Sequence, residues 1–347
     1  MPDVQPTAQP AHQPSHLLYP PHGGPLYVVL NAGSGSHSGE DDQQTMARVF
    51  HDAGRKVEFL RIENPAQIAR LALRAVELAH AHAGVVVAAG GDGTINAVAN
   101  AVLASAARGQ LCVFGVLPQG TFNYFGRAHG IAQDTEAAAR ALLGASVQPV
   151  QVGLVNGQVF LVNASVGLYP QLLEDREAWK KRLGRSRVVA FVSGVATLLR
   201  ARRQLRLQIE STAAPGSTGT TTTAPRLLRT PTLFVGNNQL QLSRVGIDPA
   251  HADAVGNGEL VAVVVRPIGT ASLFWLLLRG IIGRLGDAGN IDTFAFKRLT
   301  VLPKGRKRIK VATDGETRWM ATPLRFEVSP QPLLLMVPSE SDRVAVE

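Results

Sequence analysis

What this sequence has little of bounds it first. Its single cysteine, Cys112, lies in the apolar run Leu111–Val116 and reads as a buried strand residue that says nothing about catalysis. The longest apolar stretch, Ala271–Leu278 and on to Ile281 and Ile282, is interrupted by Arg279 and Arg284 and falls short of the roughly 20 residues of a membrane span. The first residues, rich in Pro, His and Gln, lack the basic start and apolar run of a signal peptide, so a cytoplasmic protein is expected. Aromatic residues are absent from the basic clusters Lys180–Arg187, Arg200–Arg206 and Lys304–Lys310, which argues against nucleic acid as partner.

What is present is a globular composition, 45% hydrophobic and 18% charged, in 347 residues, enough for two domains. The net charge of +9 makes an anionic partner plausible, and an anionic lipid surface is favoured; solvated faces are the plain alternative for each cluster.

Residues 1–24 have no apolar periodicity and read as a disordered leader. From 25 to 149, short apolar runs (Leu26–Leu30, Val57–Ile62, Val85–Ala89, Cys112–Leu117) alternate with helical patterns (Gln43–His51, Pro65–His82, Thr94–Ala107). That alternation predicts an α/β domain with a doubly wound, mainly parallel sheet, and ligands at the carboxyl ends of its strands. From 150 to 330 the pattern changes to short strands at Gln151–Val155, Gln158–Ala164, Gln204–Glu210, Arg229–Asn237, Leu260–Arg266, Arg298–Leu302, Arg308–Thr313 and Leu324–Val328. An antiparallel, β-sandwich-like second domain follows, interrupted by helical segments at Pro170–Arg200 and Thr270–Leu285 and by a flexible Ser/Thr/Gly/Ala/Pro loop over 211–225. Residues 331–347 are expected to return to the first domain.

Four loops carry chemistry. Asn31-Ala-Gly-Ser34-Gly35 follows the first strand with small residues whose amides can face phosphate oxygens, though a plain connection would look the same. Gly90-Gly91-Asp92-Gly93-Thr94 joins a buried strand to a helix, setting a carboxylate among glycines at a helix N-terminus suited to an anion. Leu117-Pro-Gln-Gly-Thr121-Phe-Asn123 turns at the same sheet edge. Asp314-Gly315-Glu316 lies in a hairpin turn, where Asp-Gly is common chemistry in its own right.

Together these segments resemble the diacylglycerol kinase catalytic-domain family, bacterial lipid kinases related to sphingosine kinases, with a strand ending in Asn-Pro-x-Ser-Gly, then Gly-Gly-Asp-Gly-Thr-x-Asn, Leu-Pro-x-Gly-Thr-x-Asn and a late Asp-Gly-Glu. The resemblance runs from about Leu26 to Pro338 and takes in Asn163–Gly167 and Phe234–Asn237. It implies Mg2+ and ATP bound in the cleft between the domains and phosphoryl transfer to the hydroxyl of diacylglycerol or a similar long-chain alcohol, at a membrane surface with which the protein associates peripherally. Asp314 and Glu316 are then candidates for the catalytic base. Asn31, Ser34, Gly35, Gly90, Gly91, Asp92, Gly93, Thr94, Asn96, Thr121 and Asn123 would bind nucleotide, with Asp92 acting through the metal.

The chain departs from the family pattern at Tyr124, Gln151 and Asn257, where carboxylates are common, and at Ser36, where lysine is; Asn257 and Glu259 are weaker metal candidates. An NAD kinase shares the Gly-Gly-Asp-Gly loop, and a silent lipid or nucleotide sensor would keep the fold; both remain alternatives. The apolar helix around Ser272–Leu285 could meet the bilayer or cover an acyl chain, with packing in the β domain or a homodimer contact as the other uses.

Overall fold

A computed structural model describes residues 23–31, 39–120, 122–168, 170, 205–212, 225–267 and 289–345. Nearly all of the leader, the helical segments expected at 170–200 and 270–285, most of the 211–225 loop, and Ser34, Gly35 and Thr121 lie outside those residues.

The first domain runs β1 (Leu26–Leu30), α1 (Gly39–Asp52), β2 (Val57–Arg61), α2 (Ile68–Ala81), β3 (Val85–Gly90), α3 (Asp92–Ala106), β4 (Val113–Pro118), α4 (Tyr124–Ala128), α5 (Thr135–Leu143) and β5 (Ser146–Val150). β1, β3 and β4 are buried along their whole length, as strands covered on both faces must be. α1 packs with α5 and α2 with α3. α2 turns Leu71, Ala72, Ala75, Val76, Leu78 and Ala79 inward, and Asn64 accepts the Ala66 amide to start the turn that leads into it.

The second domain follows as β6 (Gly153–Val155), β7 (Gln158–Phe160), β8 (Asn163–Gly167), β9 (Leu205–Thr212), β10 (Arg226–Thr230), β11 (Thr232–Gly236), α6 (Gln239–Arg244), α7 (Pro249–Ala252), β12 (Leu260–Val265), β13 (Ile291–Phe296), β14 (Arg298–Pro303), β15 (Arg308–Thr313), β16 (Glu316–Ala321) and β17 (Leu324–Val328). β18 (Leu333–Val337) then lies in the first sheet, whose order is β2-β1-β3-β4-β18-β5, parallel to β4 and antiparallel to β5. The other two sheets, β10-β9-β14-β17-β6-β7 and β13-β12-β11-β8-β15-β16, are antiparallel and share a core built on Phe160, Leu207, Phe296, Val311 and Phe326. The expected α/β domain with a doubly wound, mainly parallel sheet and the antiparallel sandwich-like domain are both present.

Two expected strands are each two strands. Gln158–Ala164 breaks at Leu161–Val162, where the chain passes from the sheet of β7 to that of β8. Arg229–Asn237 breaks at Pro231, which has no N–H for a ladder, and crosses between the same two sheets. α3 begins at Asp92, two residues before the expected Thr94, with Gly91 as its N-cap.

Candidate active site between the domains

The loops after β1, β3 and β4 meet at the carboxyl edge of the first sheet. Asn31 donates its side-chain amide to Thr94 Oγ1 (3.1 Å), linking the first loop to the first turn of α3. Gln119 donates its backbone N–H to the Gly90 carbonyl (2.9 Å), linking the second loop to the third. Glycine is required where these loops touch. A Cβ on Gly90 would lie 2.8 Å from Thr94 Oγ1, and one on Gly120 would lie 2.9 Å from the Gly91 Cα.

Asn123 holds the third loop closed. It adopts φ +46°, a left-handed conformation that asparagine tolerates, and its side chain accepts from the Gly120 amide (3.1 Å) while donating to the Gly120 carbonyl (2.7 Å) and to Gln133. Its backbone N–H faces the Asp92 carboxylate.

Asp314 reaches this edge from the second domain. Its two oxygens accept four N–H bonds: Asn96 Nδ2 (2.7 Å) and Leu161 N (2.7 Å) on one, Val162 N (2.9 Å) and Asn163 N (2.9 Å) on the other. Asp314 therefore supplies the partners that the backbone loses where β7 and β8 part. At φ +47° it sits in the tight turn with Gly315 that brings β16 back along β15. A carboxylate offers about four lone-pair sites, and here all are taken by donors that cannot accept, so Asp314 has no vacant site for a substrate proton.

Asn96 is equally committed. Its amide donates to Asp314 and to the Val159 carbonyl (3.0 Å), and its oxygen accepts from Asn100 (3.0 Å). Both amide protons are used, so Asn96 joins the domains and has none left for a nucleotide. Asn100, one helical turn on, accepts from the Val159 amide (3.1 Å) and from Gln158 (2.7 Å). Asn100 lies outside the glycine motifs, although an asparagine at i+4 from Asn96 in a helix otherwise rich in Ala and Val is a legible sign of a shared polar face.

Asp92 differs. Its Oδ1 is buried with no hydrogen-bond partner. Its pKa is pushed up to about 6, first by burial and then by the Asp314 charge, against the pull of the Asn123 amide. Burial raises the Asp314 pKa too, opposed by its four hydrogen bonds. Glu316 completes the group: a Cβ on Gly93 would lie 2.6 Å from Glu316 Oε1, and Arg318 Nη2 is 3.7 Å from its other oxygen. Gln119 Nε2, a donor, is also buried without a partner.

The remaining expected positions lie further off. Asn257 is exposed in a single 3-10 turn, and the buried Glu259 accepts at its carbonyl from Gln151 (3.0 Å). Gln151 bonds Asn237, which donates to the Leu161 carbonyl, so Glu259 joins the Asp314 bend through two amide side chains.

Glycine-walled loops, an orphan donor at Gln119 and the start of a 15-residue helix suit an anionic phosphate. Among the described residues no group of three or more His, Cys, Asp or Glu is placed to hold a metal ion by itself.

Residues 25–155 match the diacylglycerol kinase catalytic domain. That match spans the first domain and β6. A Pseudomonas aeruginosa protein named a probable lipid kinase YegS-like is 33% identical over 157 residues, 45% of this chain and 50% of its own. A Bacillus subtilis diacylglycerol kinase is 41% identical over 92 residues, 26% of this chain and 29% of its own. The chain thus spans about half the length of the Pseudomonas relative and less of the Bacillus one. A solved structure described as a diacylglycerol kinase from Bacillus anthracis str. Sterne superposes with a TM-score of 0.63 at 17% identity, covering 91% of this chain and 97% of that one, which establishes a shared fold over both domains.

Proposed function

We propose that the chain is a lipid kinase that transfers the γ-phosphoryl group of ATP to the hydroxyl of diacylglycerol or a similar long-chain alcohol. The observation that carries this reading is the clasp of Asp314 by Asn96, which brings the second domain against the glycine loops and leaves an unpartnered Asp92 oxygen at the junction. The match of the first domain to that family supports ATP as the donor.

Phosphoryl transfer asks the protein mainly for positioning and charge compensation. Thr94 and the amides at the start of α3, with Gly120 and Gln119, face the phosphates. Mg2+ would be held by Glu316 together with phosphate oxygens and would neutralise charge there. Asp92 takes the acceptor hydroxyl's proton: its Oδ1 carries no hydrogen bond, which leaves a lone pair for it. Asp314, with its lone pairs filled, positions Asn96 and the Leu161–Asn163 bend. The acceptor is presented at a membrane surface; among the described residues no helix is long and apolar enough to cross one.

The test is to supply γ-labelled ATP and Mg2+ with whole lipid extract, diacylglycerol micelles or NAD. Label in the lipid phase that is lost with Asp92→Asn is expected. Label in a water-soluble dinucleotide, or in nothing, sinks the reading.

A further inference from the structure

Of the large hydrophobic side chains exposed among the described residues, only Phe122 and Trp319 are aromatic, and Phe122, at 55% exposure, stands on the third loop of the candidate site. It is not a stray surface residue. Its ring is stacked on Tyr124 with centroids 6.1 Å apart and planes within 2° of parallel, and the Arg244 guanidinium lies over the Tyr124 ring at 5.9 Å. The backbone on its C-terminal side is fixed as well, because Asn123 is held left-handed and bound to Gly120 through both side-chain atoms. Asn238 on the second domain donates to the Tyr124 carbonyl (3.2 Å), which secures the lower ring from across the cleft.

We propose that Phe122, backed by Tyr124 and Arg244, is the stacking platform for the nucleobase of the bound nucleotide. This rests on the kinase reading above and adds the element that grips the base. Phe122 is two residues from Gly120, whose backbone touches the Gly91 turn, so chain geometry puts it within about 7 Å of the phosphate-facing loop. A nucleotide with its phosphates against Gly91 and Gly120 therefore has its base within reach of this ring. A flat, rigid ring face suits a base, since every base has a π-face and stacking tolerates its identity. A flexible acyl chain gains nothing from parallel alignment. The platform predicts weak discrimination between purine nucleotides.

The experiment measures binding by calorimetry with the full chain, Mg2+, and either ADP or inorganic tripolyphosphate, on wild type, Phe122→Ala and Phe122→Trp, with thermal unfolding as a check on folding. Expected is roughly tenfold weaker ADP binding for Phe122→Ala, rescue by Phe122→Trp, and tripolyphosphate binding alike in all three, because only ADP carries a base. Equal ADP affinity for wild type and Phe122→Ala overturns the platform and leaves the kinase reading standing. So does a Phe122→Ala defect confined to the apparent KM for micellar diacylglycerol, which would assign the ring to the acceptor. Wild type that binds neither ADP nor tripolyphosphate removes the kinase reading, and the platform with it.

Discussion

Two buried carboxylates stand side by side at the domain junction, and their hydrogen bonds separate their roles. Asp92 has an empty acceptor, so ionising it in the folded protein is costly. A carboxyl moved from 3.8 to about 6 carries about 3 kcal/mol of unfavourable energy in its charged form. The penalty is complete above about pH 6 and absent below about pH 4, where both folded and unfolded chains are protonated. Asp92→Asn is thus expected to stabilise the fold by up to about 3 kcal/mol at pH 7 to 8 and by little at pH 4, read from urea unfolding at each pH. The same change should remove activity by a hundredfold or more, a general base being worth about that. Wild-type kcat/KM should rise with unit slope through an apparent pKa near 6. Asp314→Asn makes the opposite prediction for stability. Its NH2 group would face N–H donors, leaving at least one buried donor unpaired, so a loss of about 3 kcal/mol is expected at pH 7. Unchanged urea midpoints for Asp314→Asn would refute its role as a clasp.

At the scale of elements, the same carboxylate explains which strands could be read in advance. β1, β3 and β4 are continuous apolar runs bounded by glycine loops, so both their existence and the order of the loops at their ends were legible. The β7–β8 break was not, because Leu161 and Val162 continue the apolar pattern and only Asp314, 153 and 152 positions away, shows where their amides go. β16 escaped too: Glu316–Ala321 mixes charge, Trp319 and Met320 without clean alternation, its order coming from pairing with β15. The short α4 and α6 have too few turns for periodicity to register. In the site, the glycine loops, Asp92 and the Asp-Gly-Glu turn could be picked out by composition, whereas the inward commitments of Asn96 and Asn123 depend on partners that only the fold supplies. The β6–β7 hairpin gives a direct test of packing. Gly153 faces Phe160 in register and its missing Cβ makes room for that buried ring. Gly153→Ala should cost about 2 kcal/mol or more by overpacking, measured by thermal unfolding, and Phe160→Leu should restore part of it.

Over the whole molecule, charge is uneven. Arg206 and Arg229 are paired across β9 and β10, and Lys304 bonds through its backbone to Arg206, so three exposed cations share one end of a sheet in a chain of net charge +9. Reversing all three to Glu is expected to weaken sedimentation with phosphatidylglycerol vesicles several-fold at low salt, with the difference fading as salt rises over about 0.1 to 0.5 M. Equal sedimentation of wild type and variant at low salt would rule this end out as a binding surface for anionic lipid. The clasp at Asp314 and the bridge from Asn100 to Val159 also imply that the two domains melt together, a single transition that the Asp314→Asn variant should split.

The placement of β18 has a consequence for synthesis. Its neighbours in the first sheet, β4 (ending at Pro118) and β5 (ending at Val150), are translated long before it begins at Leu333, yet they are separated until it slides between them. A nascent chain on the ribosome must therefore hold a gapped sheet, with apolar edges unsealed, until Val337 has cleared the exit tunnel. The N-terminal sheet is therefore the last to be completed, after every strand of the second domain has been made.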